Sequence, residues 1–307
     1  MISNLSPSSE AFLANVDRVQ RSLDQASRQV SSGKRVNVAS DAPSEVDTIL
    51  QLKTGQVRNQ QIQSNLAVVK TDADAADSAL SSATKLMDTA RTLAAQGGTF
   101  TTDATGRQAL AGQVEALQEQ MVAVSRTVVQ GRYVFGGDSD ATPPYELDLT
   151  TSNGVAQLTA DPTATRRVED SSGGSFAVAK SAQDIFDTHN ADGTLATDNV
   201  FAALNNLRIG LLANDVTQIN AANTSIQAAS DHLSLSQAFY GTVQNRIEYA
   251  GTYSTSYDLQ LTVQLSQKQD ADVTASAMAI TQGNTELQAA FAMQAKMPRT
   301  TLFDFIG

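Results

Sequence analysis

Phe12, Val16, Val19, Leu23, Ala26 and Val30 are spaced alternately by four and three residues, the a/d seam of a coiled coil. The same alternation returns along the chain. It runs through Ile62, Leu66, Val69, Ala73, Ala76, Leu80, Ala83, Met87 and Ala90, then through Leu110, Val114, Leu117, Met121, Val124 and Val128, ending at Gly131. After a gap it resumes at Ala222, Ile226, Ala229, Leu233, Ser236, Tyr240, Val243, Ile247 and Ala250. A last run takes in Val273, Ala277, Ile280, Asn284, Leu287, Phe291 and Gln294 before Pro298 stops it. Seams that occupy so much of a chain predict a mainly α fold: an elongated antiparallel helical bundle or coiled coil built from both chain ends. The second seam, with the turn before it, implies a helix of about fifty residues, far above the ordinary mean of roughly 11 to 12.

Two interruptions shape this pattern. The first is "SSGKRVNVASDAPSE", where the period fails at Gly33 and a new start follows: Asp41 can cap, Pro43 suits a first helical turn, and Glu45 adds early negative charge. The second is the stretch from Gly136 to about Val200, whose short alternating runs and turn dipeptides predict a small β-rich insertion. Within it Tyr145, Leu147 and Leu149 share a face, and Asn153-Gly154 fits a type I′ hairpin turn. The expected organisation is residues 1–40 with 265–307 as a terminal coiled-coil domain, 41–135 with 201–264 as a long-helix bundle, and 136–200 as an acidic outer domain.

Charge and composition narrow the possible functions. A net charge of −11 opposes binding to nucleic acid or an anionic membrane. The insertion alone holds eleven acids against three bases, whereas the first forty residues hold five bases against three acids, which suggests packed ends and a solvated middle. Aromatic residues are 5% of the chain and Trp is absent, so the core is expected to be aliphatic rather than aromatic. Without cysteine there is no disulfide and no thiolate chemistry. The N-terminus lacks the basic start and apolar run of a secretory signal peptide, and no apolar stretch is long enough to span a membrane.

No catalytic, cofactor or metal site emerges. His189 and His232 have no evident carboxylate or nucleophile partner in the sequence. Asp72, Asp74 and Asp77 superficially suit a calcium loop but lie inside a sustained heptad without the glycine and terminal glutamate such a loop needs, so a solvated helix face is expected. Gly136-Gly137 lacks nucleotide-loop spacing. Enzymatic use of the insertion would have to fall on residues such as Asp184, Asp187 and His189.

The residues around the first interruption, "LDQASRQVSSGKRVNVASDAPSEV", resemble the N-terminal signature of the bacterial flagellin superfamily, matching it at Ser31, Ser32, Gly33, Lys34, Arg35, Asn37, Ser40, Asp41, Ala42 and Pro43. The C-terminal "LSQKQDADVTASAMAITQGNTELQAAFAMQAKMPRTTLFDFIG" resembles the superfamily's closing segment. Three further features are similar to its hook-filament junction family: Pro43 after Ser-Asp-Ala, the "GRYVFGGDSDATPPY" passage, and the ending "TTLFDFIG". One departure is Ala42, where a second acid is usual.

The resemblance implies a structural subunit exported unfolded by the flagellar type III system and placed outside the cell at the junction of hook and filament. Its partners would be copies of itself in a ring or helical layer, hook-associated protein 1, flagellin, and an export chaperone at the C-terminal segment. The alternatives are a flagellin that forms the filament itself or, more distantly, an unrelated coiled-coil adaptor or secretion protein. Residues 1 to about 40 and about 265 to 307 are expected to be mobile in the exported monomer and to order on docking. The assembly seam would comprise Phe12, Val16, Val19, Leu23, Val30, Val273, Ala277, Ile280, Leu287, Phe291, Leu302, Phe303 and Phe305. The turn from Ser31 to Pro43 would form a spoke between inner and outer layers, with Lys34 and Arg35 meeting carboxylates on a neighbour.

Overall fold

The computed structural model describes residues 7–160, 162 and 164–296. Among these, seven α-helices and six short strands occur: α1 (Pro7–Ser32), α2 (Pro43–Gly97), α3 (Ala104–Ser125), β1 (Val128–Val129), β2 (Arg132–Tyr133), β3 (Tyr145–Leu147), β4 (Val155–Gln157), β5 (Arg167–Glu169), β6 (Ser175–Ala177), α4 (Ala182–Phe186), α5 (Val200–Leu212), α6 (Val216–Gln269) and α7 (Val273–Lys296). The mainly α class with small antiparallel hairpins agrees with the heptad reading, and α2 runs for 55 residues. The chain divides into two compact units. One comprises the chain up to Arg58 together with the chain from Asp258, and the other is Asn59–Tyr257.

The second unit holds a continuous apolar core. Every seam position from Ile62 to Ala90 and from Ala222 to Ala250 is buried. Alanine at four of the nine positions on α2 lets neighbouring elements approach closely, so the larger partners fill the space. Cross-links between α2 and α6 satisfy the polar edge: Gln237 donates to Asp77 at 3.1 Å, Gln244 to Asp74 at 2.9 Å, and Asn59 to the Ser254 carbonyl at 2.9 Å. α3 starts at its cap Asp103, whose carboxylate accepts from Gly106 N at 2.8 Å, and packs against α5.

Several expectations fail within this unit, each for a physical reason. The third seam stops short, because α3 ends at Ser125 and Val128 is half exposed on β1. There Gln130 and Gly131, both at positive φ, make the two-residue turn that joins β1 to β2. Asn153-Gly154 makes no such turn. Seven residues separate β3 from β4, only Gly154 of the pair has positive φ, and Asn153 instead donates its amide to Asp187 at 2.9 Å.

The core is also aromatic at its centre. Tyr145, Phe201, Phe186, Phe135 and Tyr240 form a connected cluster with ring centroids 5.2 to 6.3 Å apart. Few aromatics suffice when five of them gather around one centre. The insertion is therefore not just a solvated middle: Val155, Val168, Phe176, Ile185 and Phe186 belong to the same core. Asp72 likewise leaves the solvated face expected for it. It is buried in an ion-pair network in which Arg166 contacts both Asp72 and Asp140, and Arg132 lies 3.8 Å from each carboxylate.

Tyr240 illustrates the energetics of this centre. Burial pushes its phenol up to about 12, and its oxygen accepts from Lys180 N at 3.1 Å. The neutral phenol's contribution is therefore full below about pH 10 and is lost as pH rises towards about 12. Tyr240→Phe, which keeps the ring and removes that acceptor, is expected to lower stability by about 1 kcal/mol in denaturant melts near neutral pH.

Candidate assembly site

The first unit is built around a break present in two strands of the chain at once. α1 ends because Gly33 adopts φ +68° with its N–H on the Gln29 carbonyl at 2.9 Å, a left-handed cap that glycine takes without steric cost. Ser31 and Ser32 donate their hydroxyls to the Arg28 carbonyl at 3.1 and 2.7 Å, and Ser32 Oγ accepts from Lys34 N at 3.1 Å, closing the helix end. α6 stops at Gln269 and α7 restarts at Val273.

The two breaks pair with one another. Lys34 and Asp270 form an antiparallel bridge, Ala271 N donates to Gly33 O at 2.9 Å, and Arg35 N and Val36 N donate to Gln269 O at 2.7 and 3.3 Å. Gln269, itself buried, returns its side-chain amide to Val36 O at 3.3 Å. Arg35 is spent inside the chain: its guanidinium meets Glu45 at 3.1 Å and donates to the Lys268 carbonyl at 2.7 Å. Lys34 is exposed. Nothing in the local sequence announces a pairing between segments more than two hundred residues apart, so Lys268, Gln269 and Asp270 escaped the sequence reading as turn partners.

Downstream, Asn37 Nδ2 donates to Lys34 O at 2.9 Å, and Asp41 Oδ2 accepts from Asn37 N and Val38 N at 2.9 and 3.0 Å. These backbone donors, Val38 foremost, hold the Asp41 carboxyl below the usual carboxylate range. A depressed carboxyl stabilises the turn above its unfolded value and loses that contribution as pH falls through its folded value. Asp41→Ala is expected to speed amide exchange at Asn37 and Val38 near neutral pH, with the difference from wild type vanishing in acid. Pro43 then occupies the first position of α2.

α1 and α7 pack antiparallel as a thin pair. On α1 the inner face is Phe12, Val16, Val19, Leu23, Ala26 and Gln29. Val30 instead lies 38% exposed, because Gln29 turns inward to accept from Ser276 Oγ at 3.0 Å. On α7 the inner face is Ser276, Ile280, Gly283, Leu287 and Ala290. Small residues recur there at heptad spacing, and Leu23 sits directly on Gly283, where a Cβ would lie 2.8 Å from its Cγ. Val273 and Ala277 fall on the outer side, and Phe291 is half exposed while its ring meets Phe12 edge-on at 6.3 Å. Leu13, Met278 and Met293 are also more than half exposed. Leu302, Phe303 and Phe305 lie outside the described residues.

The candidates for chemistry are otherwise engaged. Asp184 accepts from Ser181 Oγ at 2.7 Å in the capping box of α4. Buried Asp187 accepts from the Asn153 and Asn199 amides at 2.9 and 2.8 Å, and His189 Nδ1 lies 2.7 Å from the Asp187 carbonyl. His232 does have a carboxylate neighbour that sequence could not reveal, Asp198 at 3.4 Å, while its Nε2 meets the Asp184 carbonyl at 2.8 Å. Among the described residues no cluster of three or more His, Cys, Asp or Glu could hold a metal ion, and no helix is long and apolar enough to cross a membrane.

A paired interruption between long helices and a thin terminal helix pair with apolar residues left outside fit a structural subunit. Residues 2–140 match the family model described as the bacterial flagellin N-terminal helical region. The chain is similar to flagellar hook-associated protein 3 of Escherichia coli K12, 26% identical over 295 residues spanning 90% of each chain. Flagellin of Bacillus subtilis 168 is 26% identical over 289 residues, 87% of this chain and 86% of that one. A solved structure of hook-associated protein 3 from Legionella pneumophila shares the fold with a TM-score of 0.62 at 15% identity, covering 71% of this chain and 98% of that one.

Proposed function

We propose that this protein is a non-enzymatic structural subunit of the bacterial flagellum, forming the layer between the hook and the filament. The observation that carries this reading is the outer face of the α1/α7 pair. Leu13, Met278, Phe291 and Met293 stand in water on two helices that cover each other along one stripe only. A helix of this length gains little stability alone, and each ordered residue costs about 1 to 2 kcal/mol of backbone entropy, so a second apolar covering is needed to complete the pair. Neighbouring subunits supply it. Residues 1–40 and 265–307 form the assembly domain, complete only in the assembled layer, with Lys34 facing carboxylates of the next subunit.

The similarity to hook-associated protein 3, including the description of a Legionella pneumophila relative as a flagellar junction protein, supports hook-associated protein 1 below and flagellin above as neighbours. Export through the flagellar type III channel follows from the same reading, with a chaperone shielding the C-terminal segment and its Leu302, Phe303 and Phe305 beforehand. Immunogold labelling of intact cells tests the reading directly. A short labelled band where hook meets filament is the expected result, whereas label along the whole filament would make the protein a flagellin.

A further inference from the structure

Asn153-Gly154 is the only Asn-Gly pair in the sequence, and the fold makes both residues obligatory. Gly154 is buried at φ +79°, and a Cβ there would run into the Gln118 side-chain amide and lie 3.1 Å from Asn205 Cγ, so glycine alone fits. Asn153 is fixed by Asp187, a buried carboxylate that accepts from the Asn153 amide at 2.9 Å and from the Asn199 amide at 2.8 Å. A buried carboxylate left without donors is costly, so position 153 needs a neutral amide. Together the two demands write the dipeptide in which asparagine deamidates most readily, because a following residue without Cβ leaves its backbone nitrogen a clear approach to the asparagine Cγ.

In that reaction the Gly154 nitrogen gives up its proton and attacks Asn153 Cγ, the Cγ–Nδ2 bond breaks, and ammonia leaves with the proton, giving a cyclic imide. Water then opens the ring to aspartate or isoaspartate. The folded chain ties down each group that the first step needs. Gly154 N donates to the Thr151 carbonyl at 3.2 Å, Asn153 Oδ1 accepts from Thr151 Oγ1 at 3.1 Å and from Val155 N at 3.4 Å, and Nδ2 is held by Asp187. Bringing Cγ onto the Gly154 nitrogen means releasing these bonds together. We propose that Asn153 is a deamidation site gated by folding: intact in the native unit Asn59–Tyr257, converted by water when that unit is open, and, once converted, unable to pair with Asp187. The product sets a carboxylate against a carboxylate where the native chain has an amide, and like charges that close oppose each other most where water is excluded. In a chain exported unfolded the site acts as a timer on molecules that linger before folding. That use rests on the flagellar reading; the chemistry does not.

The test holds purified full-length protein at mildly alkaline pH, either native or in concentrated guanidinium chloride, and follows Asn153 by peptide mass spectrometry with isoaspartate detection. Conversion is expected to run about tenfold or more faster in denaturant, since the native site reacts only through opening. On dilution out of denaturant, intact chains should refold and converted chains should stay in the unfolded fraction. Asn153→Asp is expected to lose most of its refolding yield. Asn153→Asp combined with Asp187→Asn, which exchanges the amide and the carboxylate, is expected to regain it. Equal conversion in the two states overturns the inference, and so does an Asn153→Asp protein that refolds and melts like wild type. A double variant no better than Asn153→Asp overturns the assignment of the block to Asp187. Each readout is made on purified protein, so failure here leaves the junction reading untouched.

Discussion

Gly33→Ala combined with Val36→Leu is expected to abolish swimming while leaving the melting transition of Asn59–Tyr257 in place. Gly33 sits at φ +68° with open space around its Cα, so the penalty is not a clash with neighbours. It is the left-handed backbone, which costs an L-residue roughly 1 to 2 kcal/mol and favours extending α1 into the turn. Val36 is buried, so the larger Leu adds overpacking of about 1 to 3 kcal/mol. A helix continued through residue 36 would pull the N–H groups of Arg35 and Val36 off Gln269 and undo the Lys34–Asp270 bridge. The core of the other unit, from Ile62 to Ala250, includes none of these residues. Export of a folded but unincorporated protein is the signature to measure, in culture supernatant and by calorimetry. A motile double mutant would show that the interruption is dispensable.

Gly283→Leu should be as damaging, by a different route. Leu23 Cγ and Cδ2 lie 2.8 Å from where any Cβ at position 283 must sit, so a branched side chain has nowhere to go without parting α1 from α7. Separation would also break the Phe12–Phe291 ring contact and the Ser276–Gln29 hydrogen bond. The expected outcome is loss of motility with normal export. Gly283→Ala, which asks only that Leu23 swing aside, should be milder. Leu23→Ala in the Gly283→Leu background restores the lost volume and should recover part of the swimming. Absence of any recovery would mean that the leucine acts elsewhere than on Leu23.

Much of this architecture was legible in the chain. The seams Ile62–Ala90 and Ala222–Ala250 are buried position for position, since a heptad repeat on a long helix records which stripe will be covered. The turn after α1 was legible too, because Gly33, Asp41 and Pro43 act on the backbone within a few residues of themselves. Finer placements were not. Val30 and Gln29 are adjacent, and a polar partner on α7 decided which one turned inward. On α7 the sequence favoured the apolar residues Val273, Ala277 and Phe291, but close helix approach selected Ser276, Gly283 and Ala290, the first two of which periodicity weighted by hydrophobicity undervalues.

What the sequence determined by itself was the local and the periodic: which stretches are helical, the break at Gly33, and the flagellin-type ends. Tertiary structure decided which distant segments meet. It paired residues 33–36 with 269–271, buried Asp72 against Arg166, and collected five scattered aromatics into one centre. The reason is that capping and helix period depend on neighbours within about one turn, whereas a buried charge or ring takes its energy from whatever partner the fold brings to it, at any distance along the chain.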